Sequence, residues 1–139
     1  MKIWRWAVVS VLMAVAVRAG ETRIFRDASG RMTGTVYTND GRSTYRDAQG
    51  RVVCTSTRSG DTETYRDASG RMVGRQTVSG DRTTCRDAQG RVIFTTTRSG
   101  NTTIYRDASG RMTGSATTNG GGTTTYRDAQ GRVRATQRR

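Results

Sequence analysis

The sequence of 139 residues has no histidine and no proline, and it has only two cysteines. The absence of histidine removes the commonest general base and metal ligand. Cys54 and Cys85 lack the spacing of a metal site or a redox motif, and most aspartates lie in predicted turns. The sequence therefore offers no catalytic or metal-ligating residue, and we expect a protein that is not an enzyme and that needs no cofactor.

Long apolar segments are also scarce, and the one apolar run, over residues 7–17, follows a short basic start. It is shorter than the ~20 residues of a membrane-spanning helix, although a membrane anchor is the alternative interpretation. The small residues Val17 and Ala19 suit positions −3 and −1 of a cleavage site before Gly20. We therefore predict a signal peptide over residues 1–19, export to the periplasm or the extracellular space, and no membrane span after cleavage.

The rest of the chain consists of a block of eight residues that returns six times. The copies are FRDASGRM from Phe25, YRDAQGRV from Tyr45, YRDASGRM from Tyr65, CRDAQGRV from Cys85, YRDASGRM from Tyr105 and YRDAQGRV from Tyr126. The spacing is 20 residues, with one extra glycine before the last copy. A fixed period of this size indicates small units that bury a core only together. We predict six tandem 20-residue repeats over residues 20–139.

Each repeat has the pattern of two strands and two turns. Segments rich in Thr, Val and Tyr suit a pleated sheet. In the turn of residues 47–50, Asp47 can bond backbone N–H groups two residues on, and Gly50 suits a left-handed bulge position. Ser59-Gly60 and its equivalents are typical of a two-residue hairpin loop. The pattern predicts strands near 31–38, 51–58, 71–78, 91–98 and 111–118, and return strands ending near Arg26, Arg46, Arg66, Arg86, Arg106 and Arg127.

Twelve short strands joined by hairpin-length connections predict an all-β fold. We expect an elongated antiparallel β-meander of tandem 20-residue hairpin repeats, with a β-solenoid as the alternative. The predicted strands of six or seven residues span ~20 Å. They are shorter than the ~9–11 residues that a strand of a membrane barrel needs, which argues against such a barrel.

A second period of 40 residues lies within the first, so that the repeats form three pairs. Copies one, three and five read DASGRM and are followed by Gly34, Gly74 and Gly114, whereas copies two, four and six read DAQGRV and are followed by Cys54, Phe94 and Ala135. Two explanations are open. In the first, one loop pairs residues whose numbers are both odd or both even, and the other loop pairs an odd with an even number. Equivalent positions of successive repeats then alternate between the faces of the sheet. Alternatively, a 40-residue unit was duplicated.

Every cationic residue after Lys2 is an arginine, and the whole chain has a net charge of +13. The guanidinium group binds phosphate or carboxylate bidentately, so regular arginines favour a polyanion ligand. The candidate polyanion-binding residues are Arg46, Arg66, Arg86, Arg106 and Arg127. The alternative is structural: an ion pair such as Asp67 with Arg71 holds each turn, and the arginine-rich end from Arg132 to Arg139 protects a sheet edge.

The two cysteines are not expected to pair with each other. In a meander they lie about three strands, or ~14 Å, apart, which exceeds the reach of a disulfide. Free thiols or a link between chains are therefore expected.

The repeat Gly60-Asp61-Thr62-Glu63-Thr64-Tyr65-Arg66-Asp67-Ala68-Ser69-Gly70-Arg71 resembles the tyrosine–aspartate (YD) repeats of bacterial Rhs-type surface and toxin-shell proteins. In that family Tyr directly precedes Asp, whereas here Arg66 stands between Tyr65 and Asp67. The resemblance covers residues 20–139 and implies exported β-hairpin repeats with a role as a scaffold or in carbohydrate contact.

These observations favour an exported non-enzymatic structural or adhesive scaffold at the cell surface or in the periplasm. Its expected partners are a cell-surface glycan or further copies that associate through sheet edges. The alternative is an Arg-rich module that binds nucleic acid, acidic polysaccharide or lipopolysaccharide. Exposed edges also suggest functional amyloid, and threonine rows such as residues 55–57 suggest ice binding.

Overall fold

The computed structural model describes residues 20–138, so the predicted signal peptide at 1–19 lies outside the described residues. These residues form twelve β-strands and no helix. The strands are β1 (Glu21–Asp27), β2 (Met32–Asn39), β3 (Arg42–Asp47), β4 (Val52–Ser59), β5 (Thr62–Asp67), β6 (Met72–Ser79), β7 (Arg82–Asp87), β8 (Val92–Ser99), β9 (Thr102–Asp107), β10 (Met112–Thr118), β11 (Thr124–Asp128) and β12 (Val133–Arg138). The predicted strand bounds are confirmed to within one or two residues.

The strands form a closed antiparallel barrel, in which each strand pairs with its neighbours in sequence. The ends of the sheet meet where β1 pairs with β12, for example Phe25 with Gln137 and Asp27 with Ala135. The expected elongated meander was therefore wrong, and so was the alternative of a β-solenoid. The hairpin connections were correct, but the sheet that they build closes on itself.

A bulge that recurs in every repeat gives a physical reason for the closure. In the hairpin of β5 and β6, Tyr65 pairs with Gly74 but Arg66 pairs with Met72, so that β6 has one extra residue. The hairpins β1–β2, β3–β4, β7–β8, β9–β10 and β11–β12 show the same shift. A bulge bends its strand and increases the local twist. The six bulges lie at the same end of the sheet, beside the turns that join odd to even strands, and bend it in one direction. Closure of the sheet then covers its apolar face.

The bulges also overturn the explanation of the 40-residue period by alternating faces. Through the bulged hairpin Tyr65 pairs with Gly74, and through the two-residue loop Gly74 pairs with Asp87. Both connections join an odd to an even index or the reverse, so that two of them restore the original face. Equivalent residues of all six repeats consequently point into the barrel.

The core lies inside the barrel and is built from the residue that precedes each Arg-Asp pair. Tyr65 and Cys85 are each 1% exposed, and the rings of Tyr45 and Tyr65 pack with their centroids 6.3 Å apart. The buried apolar residues are Phe25, Val36, Tyr45, Cys54, Tyr65, Cys85, Phe94, Ala116 and Tyr126. The tyrosines, which in the sequence are typical of a sheet surface, therefore occupy much of the barrel interior.

Closure also removes the edges on which two expectations depended. In the described part of the chain, every strand has two hydrogen-bonded neighbours. The C-terminal strand β12 lies between β11 and β1, so its arginines do not protect an edge. Self-association through sheet edges likewise has no described edge to use.

Candidate polyanion-binding site

All six Asp-x-x-Gly-Arg turns lie at the same end of the barrel, because each of them joins an odd strand to the next even strand. We call this the turn end, and we call the opposite end, with the two-residue loops, the loop end. In the turn after β5, Asp67 Oδ1 accepts hydrogen bonds from the backbone N–H groups of Ser69 and Arg71, both at 3.0 Å. Gly70 has a φ of +85°, which confirms its predicted left-handed conformation.

The arginine that precedes each aspartate closes the same turn from outside. Arg66 Nη1 donates to the carbonyl oxygen of Gly70 at 3.0 Å. The equivalent bonds join Arg26 to Gly30, Arg46 to Gly50, Arg86 to Gly90, Arg106 to Gly110 and Arg127 to Gly131. The predicted polyanion-binding arginines are thus brought together at the turn end. Each uses part of one guanidinium for its turn and keeps further N–H donors.

A second arginine follows the glycine of each turn, and its environment depends on the repeat type. We call β1–β2, β5–β6 and β9–β10, with sequence DASGRM, the Ser hairpins, and the other three, with DAQGRV, the Gln hairpins. In the Gln hairpins the arginine Nε donates to the aspartate Oδ2 at 2.8 Å, in the pairs Arg51–Asp47, Arg91–Asp87 and Arg132–Asp128.

In the Ser hairpins a hydroxyl group donates to the aspartate instead. Ser69 Oγ lies 2.6 Å from Asp67 Oδ1, and Ser29 and Ser109 make the same bond to Asp27 and Asp107. The predicted direct ion pair of Asp67 with Arg71 was therefore wrong, because Arg71 donates its backbone N–H to Asp67 and its guanidinium acts on Asp67 only through electrostatic attraction.

These bonds keep the turn aspartates ionised. The Ser69 hydroxyl, followed by the backbone N–H groups of Arg71 and Ser69, lowers the pKa of Asp67 in spite of partial burial. For Asp47, partial burial acts to raise the pKa, but backbone and side-chain hydrogen bonds from Arg51 lower it overall. Each of the six turns therefore combines one anionic and two cationic side chains of its own at neutral pH, and at the last turn Arg134 of β12 adds a third cation, with its Nε 3.2 Å from Asp128 Oδ2.

The excess positive charge is concentrated at the turn end. Twelve arginines, the arginine ring, face six aspartates there. The ring consists of Arg26, Arg31, Arg46, Arg51, Arg66, Arg71, Arg86, Arg91, Arg106, Arg111, Arg127 and Arg132. Beside the loops of the opposite end lie four exposed arginines and three aspartates. These are Arg42, Arg58, Arg82 and Arg98, with Asp40, Asp61 and Asp81. A protein with such an asymmetry presents one strongly basic end to solvent.

An open hollow of about 400 Å³ lies at the turn end, between β6 and the turn that follows β7. Met72, Val73 and Ile93 line it on the apolar side, and Asp87 and Arg91 line it on the charged side. The hollow is open to solvent and has no converging set of buried polar groups, so it is part of the rim and not a separate small-molecule site.

Sequence reasoning missed a polar half of the barrel interior, nearer the loop end. Glu63 accepts hydrogen bonds from the hydroxyl of Ser56 and from Gln76 Nε2, the latter at 3.0 Å. Arg23, which is 7% exposed, pairs with Glu21 at 3.3 Å. Strand alternation alone could have placed Glu63 on the same face as Tyr65, because the two stand two residues apart in one strand. The parity of the loops was needed only to add Ser56 and Gln76 from the neighbouring strands.

Both cysteines point into the barrel and are free thiols. Burial raises the pKa of Cys54 to about 11 and that of Cys85 to about 12. The predicted absence of a disulfide between them agrees with the structure. A link between chains would require each thiol to leave the core, since Cys54 is 3% and Cys85 1% exposed.

Within residues 20–138, no group of three or more Cys, Asp or Glu side chains could hold a metal ion. None of the described segments is a helix long and apolar enough to span a membrane.

No protein-family model matches this chain, and no curated protein is similar to it. Among solved structures, the X-ray structure of a protein from Arabidopsis thaliana is similar with a TM-score of 0.41 and 12% sequence identity. The match covers 85% of this chain and 80% of that chain.

Proposed function

We propose that this chain is an exported, non-enzymatic β-barrel module that binds polyanions through the arginine ring. The observation that carries the proposal is the concentration of twelve arginines, eleven of them exposed and Arg86 half-buried, around six equivalent turns at one end of the barrel. A rigid barrel fixes the positions of these turns, so that the guanidinium groups are presented without the ordering cost of a flexible basic tail. Polyanions would be recognised by charge and spacing.

The matched comparison is between arginines of the two ends of the barrel. One variant changes Arg46, Arg66, Arg86 and Arg106 to Gln, and the control changes Arg42, Arg58, Arg82 and Arg98 to Gln. Both lose four positive charges. Both also lose bonds to glycine carbonyls, because Arg58 and Arg98 donate to Gly60 and Gly100.

Retention on immobilised heparin at increasing salt tests the proposal, because contacts with anionic groups weaken steeply as salt rises. We expect the turn-end variant to elute at much lower salt than the loop-end variant. Equal elution of the two variants would show that net charge alone retains the protein and would contradict a site at the turn end.

A structural or adhesive scaffold is the second candidate, and it is favoured by the bond from each turn arginine to its glycine carbonyl. In that case the turn-end variant should melt at a lower temperature while its weak heparin retention stays close to that of the control. Heparin retention relative to the loop-end control, with the melting temperature of each variant measured by circular dichroism, therefore separates the two candidates.

A further inference from the structure

The arginine ring contains two chemically different sets of second arginines, although each turn motif has one aspartate and two arginines. Arg51, Arg91 and Arg132 each give a guanidinium N–H to an aspartate. In the Ser hairpins the aspartate accepts a serine hydroxyl. Among the described contacts the equivalent guanidinium groups make no hydrogen bond and no ion pair, and they attract the aspartate only electrostatically from a greater distance. The second set consists of Arg31, Arg71 and Arg111.

Ser and Gln hairpins alternate around the closed barrel, and six hairpins leave no break in the alternation. The second set therefore has one member in every other hairpin, which gives an approximately threefold arrangement around the turn end. With a strand spacing of about 4.8 Å and the usual tilt, the perimeter of a twelve-stranded barrel is roughly 75 Å. The radius is then about 12 Å, so that neighbouring members of the set, one third of the way around, lie ~20 Å apart in a straight line.

This spacing restricts the kind of ligand. A single phosphate or sulfate can reach only one member of the set. A linear polyanion longer than ~20 Å can reach two, and its affinity increases because the second contact forms at a high effective concentration. A guanidinium group without a direct hydrogen bond to an aspartate can also bind an incoming anion without first breaking such a bond.

The composition of the turn end argues for a polysaccharide. Proteins that bind single-stranded nucleic acid generally stack bases on exposed aromatic side chains. Among the described residues the one large exposed aromatic is Tyr37, which lies near the loop end of β2. The exposed apolar residues of the turn end are Met32, Met72, Met112 and Val133, which offer no ring for stacking.

We propose that Arg31, Arg71 and Arg111 are the members of the arginine ring that contribute most to ligand binding, and that their ligand is a linear acidic polysaccharide long enough to span two Ser hairpins. This inference rests on the proposed function and adds which residues bind and what they bind.

The test compares two triple variants of equal charge, R31Q/R71Q/R111Q and R51Q/R91Q/R132Q, by calorimetric titration with heparin oligosaccharides shorter and longer than ~20 Å. We expect the first variant to lose at least about tenfold in affinity for the long oligosaccharide, and the second to change by less than about threefold. Wild-type protein should bind the short oligosaccharide much more weakly. The first variant should melt like wild type, which excludes loss of folding as the cause. Single variants R71Q and R91Q repeat the comparison if a triple variant is unstable.

Equal losses in the two triple variants would overturn the assignment of the three arginines while leaving the polyanion function intact. Failure of wild-type protein to bind any heparin fragment would overturn both. Tighter binding of a single-stranded oligothymidylate than of the long oligosaccharide would overturn the choice of polysaccharide.

Discussion

Gly74 is one of three equivalent glycines, with Gly34 and Gly114, at which an added methyl group should damage the barrel. It lies in β6, is buried, and pairs with Tyr65 on one side and Asp87 on the other. A Cβ atom at Gly74 would meet the backbone carbonyl oxygen of Arg86 at 2.6 Å, whereas ordinary van der Waals contact begins at 3.4 Å. Replacement by alanine therefore requires the two strands to separate locally by ~0.8 Å in a closed, hydrogen-bonded sheet.

We expect Gly74→Ala to lower the free energy of unfolding by roughly 1–3 kcal/mol, the usual cost of overpacking in a tightly packed site. For a chain of this size each kcal/mol corresponds to about 4 °C in melting temperature. The expected decrease is therefore on the order of 4–12 °C, measured by circular dichroism or calorimetry on protein lacking residues 1–19.

The matched control is Gly70→Ala, four residues away in the turn. Its Cβ would meet no atom within 4 Å, but its φ of +85° disfavours any side chain, which costs on the order of 1 kcal/mol. Gly74→Ala should thus be the more damaging of the two. A Gly74→Ala protein that melts within about a degree of wild type would show that the strands yield easily and would refute the reasoning.

Three further outcomes are expected. Gly70→Val should destabilise the protein by about 1 kcal/mol or more, whereas Met72→Leu at a partly exposed site should be nearly silent. Equal thermal melts of the two variants would contradict the left-handed bulge position assigned to Gly70. Because burial raises the pKa of Cys54 to about 11 and of Cys85 to about 12, a thiol reagent at pH ~8 should modify native protein far more slowly than denatured protein; equally fast modification would show that the thiols are accessible. Hydrogen bonds lower the pKa of all six turn aspartates below 3.8. The stability that these aspartates give the fold is therefore present above their unfolded pKa and is lost as the pH falls through their folded pKa values. A melting temperature that does not decline between pH ~4 and ~2 would contradict this expectation.

The turns and strands could be predicted because each depends on a few adjacent residues. Asp67 and Gly70 fix one turn through bonds within five residues, and the same bonds recur wherever the same letters do. Closure depends on the sum of six bulges and on pairing between Phe25 and Gln137, which are far apart in sequence. No local pattern in β1 or β12 indicates that these two strands meet.

The candidate site was predicted only in part for the same reason. The positions of Arg46 and Arg66 in their repeats showed that they are equivalent, but an open sheet would have placed them in a row. The choice between paired and unpaired second arginines depends on whether serine or glutamine stands two residues after the aspartate. That difference was visible in the sequence as DASGRM and DAQGRV, but its effect on Arg71 and Arg91 requires the geometry of the aspartate oxygens.

Structural and ligand-binding roles are divided among the arginines of the ring, so the two hypotheses do not exclude each other. Arg66 and its equivalents donate to glycine carbonyls, and Arg91 and its equivalents pair with aspartates. Such pairs are highly exposed, as shown by the 77% exposure of the Arg91 side chain, and exposed ion pairs contribute little stability. Arg66 and its equivalents, which keep further N–H donors, should therefore affect both melting and heparin retention, whereas Arg31, Arg71 and Arg111 should affect binding alone. If all three sets changed both properties equally, the division of roles would be wrong and the ring would act only through its total charge.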